Sequence, residues 1–427
     1  MAPEKKPLEL ESIMTDLHWP ATQHAALERL ANFIPRAGRE YALNRNYDLG
    51  PTDRSNVSAL SPWIRHRTLS EEHVTATVLK VHSLHQAEKF VQEVVWRTYW
   101  KGWLEHRPAV WRSYLADLED LRGELAIGSA LSQQYDDAVE GRTGIDCFDF
   151  WVAELRQYGW LHNHARMWFA SIWIFTLNLP WQLGASFFYD HLLDGDPASN
   201  TLSWRWVAGL QTLGKTYTAR AENIARYTKG RFEPHGQLAL EAIPLPSNGH
   251  PRLEPLRAFS RLTGSDNLFH QPNVLMGKIG FLTHKEDLSP LDHPDSASAY
   301  AHAILIPLPK PSTSPLKQAF LDGLVENGAE RLIQAVARNV NRVWSPDEVL
   351  TWAQEKSLDC VVTPFAPIGG TADQLDHIRR TLSEYGIKLL ISQRQWDHAF
   401  FPHAKKSFFQ MKSKIPQLLD ALRLTPA

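Results

Sequence analysis

The run Ala87-Glu88-Lys89-Phe90-Val91-Gln92-Glu93-Val94-Val95-Trp96-Arg97 decides the fold class of the first half of the chain. Ala87, Phe90, Val91, Val94 and Val95 recur at the spacing of one helix face. Polar residues lie between them, so the run reads as an amphipathic helix with its valines against a core. Glu93, Trp96 and Arg97 stand at i, i+3 and i+4 and share another face. A carboxylate, an indole and a guanidinium in that grouping suit a solvated surface. They equally suit the wall of a pocket for a flat, hydrogen-bonding ligand.

Outward from this run the helical pattern continues. Ala26, Leu27, Leu30, Phe33 and Ile34 repeat it, and residues 150–157, 163–178 and 184–193 follow suit. Turn-rich pieces such as Tyr47–Asn56 and Asp194–Asn200 separate them, and no alternating strand pattern intervenes. The reading is an all-α domain over residues 1–235. A length of 427 residues is consistent with two domains. Residues 236–298 are rich in Pro, Gly, Asn, Ser and His, as in Pro244-Leu245-Pro246-Ser247-Asn248-Gly249-His250-Pro251, and read as a linker with short helices. Residues 299–427 then alternate strand and helix. His302–Pro307, Leu358–Val362 and Ile387–Ile391 read as strands. Ser345-Pro346-Asp347-Glu348 starts a helix with a hydroxyl cap, and Gly386 stops another that begins near Thr371. Strand, helix, strand with short loops gives a parallel, right-handed unit, hence a small Rossmann-like α/β domain.

Bulk numbers narrow the function classes. Net charge is −2, so the average lends no support to a nucleic-acid partner, and any such site must be a local patch. The two cysteines, Cys147 and Cys360, cannot make a disulfide framework or a four-cysteine metal site and read as buried thiols in a reducing, cytoplasmic setting. No signal core is seen at the N-terminus, and no apolar run approaches the roughly 20 residues that span a bilayer, so no membrane partner is expected. Tryptophan is the outlier: 16 in all, 13 of them at or before Trp206. Tryptophan stacks on planar ligands and is oxidisable, which matters beside a redox cofactor.

Three further stretches carry chemistry. In Gly159-Trp160-Leu161-His162-Asn163-His164-Ala165-Arg166-Met167, Asn163 and Arg166 share a helix face. In Leu193-Asp194-Gly195-Asp196-Pro197-Ala198-Ser199-Asn200-Thr201-Leu202-Ser203-Trp204-Arg205-Trp206, two acids flank a glycine; the further oxygen ligands a hard cation needs are missing, so no metal is assigned. In Val57-Ser58-Ala59-Leu60-Ser61-Pro62-Trp63, hydroxyls beside a proline at a helix start offer a phosphate seat.

These pieces, collinear over about residues 20–210, resemble the FAD-binding domain of the photolyase and cryptochrome family. The family's tyrosine-containing start matches Tyr41-Ala42-Leu43-Asn44-Arg45-Asn46. Its T/S-S-x-L-S-P turn corresponds to Val57–Pro62, its E-x-x-W-R helix to Glu93–Arg97, its T-G…W-M-H-N-R-x-R-M segment to Thr143-Gly144 and Trp160–Met167, and its D-x-D-x-x-x-N and W-x-W segment to Asp194–Trp206. The resemblance implies bound FAD. Ser58, Leu60 and Ser61 would take the pyrophosphate, with Tyr41 nearby and Arg97 on the cofactor. Arg166 would pair with Asp194 beside the isoalloxazine, Asp196 would hold the flavin edge or the adenosine sugar, and Asn200 would face flavin N5. An amide there gives up no proton as an acid does, which is the photolyase state. Glu93, Trp96, Asn163 and Trp206 match contacts to a flipped pyrimidine dimer in damaged DNA. Trp204 and Trp181 match two steps of a photoreduction chain whose outer step falls near Gly128, leaving Tyr135 as a substitute.

The sequence also departs from the family pattern. His164 stands where a second arginine is usual, and residues 215–231 hold five basic residues against one acid. Only about 20 residues precede the helical domain, an α/β domain follows it, and Leu358–Pro416 resembles the later half of the family's antenna domain in a permuted order. No glycine-rich dinucleotide fingerprint is present there, and no antenna chromophore is assigned. Two functions stay open at this point: light-driven repair of pyrimidine dimers, and a cryptochrome-like blue-light photoreceptor without repair.

Overall fold

The computed structural model describes residues 19–247, 249–257, 277–292 and 299–425. The first part is helical. Thr22 caps the helix Gln23–Phe33 by accepting from the backbone N–H of Ala25. Ser83 and Gln86 close a capping box on the helix Leu84–Glu105, which satisfies two otherwise free backbone donors. Along this long helix Ala87, Phe90, Val91, Val94 and Val95 are all buried, as their spacing requires. Phe90 meets Phe33 at 5.2 Å and Tyr41 at 5.4 Å, which ties the long helix to the first two short ones.

A second, tryptophan-rich core lies behind the stretch 145–210. Trp151, Trp168, Trp173 and Trp204 are each at most 2% exposed. The helices Trp181–His191 and Pro197–Val207 approach closely here because Gly184 lacks a side chain: a Cβ would sit 2.3 Å from the Trp204 ring. The helix Asn163–Ser171 continues into a π-helical turn, Ile172–Thr176. Gly159, at φ 62°, ends the helix Asp146–Tyr158 in the left-handed region that favours glycine.

The C-terminal part is a five-stranded parallel sheet with helices against it. The strands are β1 (Ile279–His284), β2 (Ala301–Leu305), β3 (Asn341–Val343), β4 (Cys360–Pro364) and β5 (Lys388–Ser392), in the order β3-β2-β1-β4-β5. Three of these correspond to the strands expected from sequence. The other two differ from expectation. β1, the central strand, lies inside the stretch read as a linker, and β3 spans three residues only. Gly280 breaks the apolar run of β1, but it is required there, since a Cβ would lie 2.6 Å from Trp352.

Helical and sheet parts are joined by a buried ion network. Arg67 is hydrogen-bonded to Glu71 at 3.1 Å and to Asp397 at 2.6 Å. Arg394 forks onto Asp287 at 2.6 and 2.8 Å. Arg65 pairs with Glu286, which also accepts from Thr371 at 3.1 Å, and Lys101 lies 3.6 Å from Glu71. Four cations thus face four anions, and every one of these side chains is 8% exposed or less. Trp396 donates to Thr98 at 2.8 Å in the same seam.

Candidate functional site

The loop Asp194-Gly195-Asp196 joins the helices Trp181–His191 and Pro197–Val207. Asp196 caps the second helix by accepting from Ser199 N–H at 2.8 Å. Its other carboxylate oxygen binds the Arg97 guanidinium at 2.9 Å. Asp194 takes a two-pronged grip from Arg166 at 3.0 and 2.9 Å. The carboxylates are 3% and 2% exposed, while Arg166 and Arg97 keep 24% and 14% of their side chains open. Each pair is therefore sealed on the acid side and open on the arginine side. Burial raises the Asp194 carboxyl, but the Arg166 charge and the hydrogen bonds from Arg166 and Ser61 outweigh it and hold the group ionised below its usual range.

Around this loop the chain gathers a small set of polar groups. Ser61 Oγ accepts from Trp160 Nε1 at 3.1 Å, and the Trp160 ring lies 5.8 Å from the Arg166 guanidinium. Asn200 is nearly buried and donates to the Ala185 carbonyl at 2.7 Å. From behind, Arg65 donates to the Gly195 carbonyl at 3.1 Å, so the ion seam and the loop share a residue.

The remaining sequence candidates fall in three places. Tyr41 is core, its hydroxyl directed to Arg45 and its pKa pushed up by burial. Leu60 is core as well, and Ser58 presents its carbonyl to Arg29 at 2.8 Å. The helix start they flank is only Ser61–Arg65. Glu93 pairs through Oε1 with Arg45, and its Oε2 makes no hydrogen bond among the described residues. Crowding around the carboxyl raises its pKa, with Arg45 opposing, although a third of the side chain stays accessible. Trp96, on the same face, lies flat against Phe408 at 3.7 Å and 12°. Trp206 stacks on Tyr217 at 5.6 Å, and Asn163 is exposed. Trp204 meets Trp173 at 6.2 Å, Trp173 meets Tyr135 at 6.0 Å, and Trp181 stacks instead on Tyr114 at 5.5 Å.

Sequence reasoning did not single out Arg45, Trp160 or Phe408 as site neighbours. Arg45 lies in the quoted tyrosine-containing start, so its signal was present; Phe408 is far along the chain and had none. His164 stacks on Tyr227 at 5.3 Å and 5°, and burial lowers its pKa, so it is neutral where a family arginine is charged. Of the basic stretch after Trp206, Lys215, Arg220, Arg226 and Lys229 are exposed, while Arg231 is tied to Asp48 at 2.9 Å.

The donor set suits FAD. Two half-open guanidiniums fit phosphate or flavin oxygens, and buried carboxylates, an amide and a hydroxyl fit flavin and ribose N–H and O–H groups. Among the described residues no helix is long and apolar enough to cross a membrane.

Part of the chain is similar to known proteins. Residues 90–245 match the family described as the FAD binding domain of DNA photolyase. The chain is 31% identical to the deoxyribodipyrimidine photo-lyase of Agrobacterium fabrum over 199 residues, 45% of this chain and 39% of that one. It is 31% identical to that of Streptomyces griseus over 242 residues, 51% of each. The chain thus spans about half the length, or less, of the curated relatives it matches. Among solved structures, a bacterial class III photolyase from Agrobacterium tumefaciens is similar at TM-score 0.40 and 23% identity, over 55% of this chain and 53% of that one. A cryptochrome from Synechocystis is similar at TM-score 0.39 and 22% identity, over 49% and 43%. Residues 90–245, with the paired aspartate loop among them, are thus similar to the FAD binding domain of DNA photolyase.

Proposed function

We propose that the protein is a light-driven, FAD-dependent repair enzyme for pyrimidine dimers in damaged DNA. One observation carries the reading. Glu93, with Oε2 free, and Trp96 share a helix face with Arg97, and Arg97 is itself locked to the aspartate loop by Asp196. Lesion contacts and cofactor contacts are thereby held on one rigid element. Bound, reduced FAD supplies a light-excitable electron donor to the dimer.

The chain's own residues do the rest. Arg166 with Asp194, and Arg97 with Asp196, orient the cofactor; Ser61 takes a polar edge and Asn200 sits beside the ring without offering an acidic proton. Tyr41, Ser58 and Leu60 support this seat from the core side. Glu93 hydrogen-bonds the dimer through Oε2 and so stabilises the negative charge that builds there. Trp96 and Trp206 flank the extruded bases, and Asn163 contacts them from the rim. Trp204 and Trp181 serve electron supply to the cofactor. The buried free thiols Cys147 and Cys360 support a cytoplasmic setting.

A photoreceptor without repair is the second reading, favoured by neutral His164 in place of a cation. The test is blue-light illumination of the FAD-loaded protein with a thiol reductant and a dimer-bearing oligonucleotide. Loss of dimer, reduced at least tenfold in Glu93→Gln, is expected. No loss of dimer in either single- or double-stranded DNA overturns the repair reading.

A further inference from the structure

The segment His403–Lys414 reads His-Ala-Lys-Lys-Ser-Phe-Phe-Gln-Met-Lys-Ser-Lys, with four lysines and no acid in a chain whose net charge is −2. It runs along the helix Leu84–Glu105, from the C-terminal end of that helix toward its N-terminal half. Arg107 donates to the Lys405 carbonyl at 2.6 Å, Tyr99 to the Lys406 carbonyl at 2.7 Å, and Lys412 pairs with Glu88 at 3.2 Å. Between these anchors Phe408 lies flat on Trp96. Its neighbour Phe409 points outward at 76% exposure. Lys405, Lys406 and Lys414 are exposed and make no ion pair among the described residues. An exposed aromatic among cations that make no ion pair with the described residues is the pairing that single-stranded nucleic acid selects: cations for phosphates and a ring for a base.

We propose that this segment is a second rim of the DNA-binding surface, gripping the strand beside the lesion while Phe409 stacks on a neighbouring base. The inference rests on the repair reading above and adds a partner contact to it. A continuous chain of contacts places the rim. Phe408 touches Trp96; Trp96 is one helical turn from Glu93; Glu93 pairs with Arg45, whose carbonyl accepts from His162 at 3.0 Å; His162 stacks on His164, and His164 on Tyr227. Arg226 lies over Tyr227 at 5.2 Å and Lys229 over Tyr47 at 5.9 Å. The candidate lesion contacts therefore lie between two basic flanks, one from the helical part and one from the sheet part of the chain. The sheet part gains a role in substrate binding that the family match over residues 90–245 does not cover.

The test uses the full-length, FAD-loaded protein, a labelled single-stranded oligothymidine with or without a pyrimidine dimer, and fluorescence anisotropy across a salt series. The triple variant Lys405→Ala, Lys406→Ala, Lys414→Ala should lower the slope of log affinity against log salt by about 2, at roughly 0.7 per lost single-strand phosphate contact. The loss should be equal for damaged and undamaged strands, since phosphate contacts carry no lesion information. Phe409→Ala should weaken both by about tenfold with the slope unchanged. Wild-type binding with identical slope and affinity in both variants overturns the inference and leaves the repair reading intact. Variant-sensitive binding to phosphatidylserine vesicles with unchanged DNA affinity overturns it in favour of a lipid surface. Wild-type protein that binds neither strand overturns both readings.

Discussion

Two sets of arginine–carboxylate pairs use the same chemistry to opposite ends. At the aspartate loop, Arg97 and Arg166 hold buried acids but keep an open edge themselves. At the seam, Arg65, Arg67 and Arg394 are 5% exposed or less and turn every edge inward. An ion pair with one open edge can recognise a ligand; one without can only fix its own surroundings. Fixing is expensive, because sealed charges lose their hydration, and it is stable only while each charge keeps its partner.

The sharpest way to break the comparison is therefore at the seam. Arg67→Met leaves Glu71 and Asp397 buried without their strongest partner, and should cost about 3–5 kcal/mol in urea unfolding. A cost under about 1 kcal/mol would show that the seam relaxes or hydrates. Between the two extremes stands Glu154, which is 4% exposed and only 3.9 Å from Arg54. Burial, then the nearby Asp48 charge, push its pKa up to about 8 against the pull of Arg54 and Arg231. The native state thus keeps a proton between about pH 4.5 and 8 that the unfolded chain releases, so stability falls as pH rises through that window. Glu154→Gln should remove that loss, a gain on the order of 2–3 kcal/mol at pH 8 relative to pH 5, read by chemical denaturation. The smallest expected effect on the fold is at the open pairs. Arg166→Met should leave circular dichroism unchanged and raise the FAD dissociation constant by roughly 10- to 100-fold, about 2 kcal/mol of lost charge-assisted hydrogen bonding.

The same contrast explains what could be read from sequence. The long helix was legible because its valines repeat at helical spacing, and the candidate site could be proposed because Glu93, Arg97, Asp194 and Asp196 lie in compact local patterns. β1 was hidden: three apolar residues interrupted by Gly280 and followed by Thr283 and His284 look like a loop until the Trp352 ring that demands the glycine is known. The seam was hidden for a deeper reason. Arg65, Arg67, Glu71 and Lys101 carry no local sign of burial, since the acids that complete the network, Glu286, Asp287 and Asp397, lie hundreds of residues away. Phe408 against Trp96 is a contact of that kind too, and so the surroundings of Trp96 were legible only on one side.

The division of the seam has a consequence for how the two parts dock. The helical part contributes Arg65, Arg67 and Lys101 against Glu71, a local excess of two positive charges; the sheet part contributes Glu286, Asp287 and Asp397 against Arg394, an excess of two negative charges. The two faces therefore carry opposite charge, which favours their docking in register over contact with a like-charged surface, and each face needs the other to neutralise its excess.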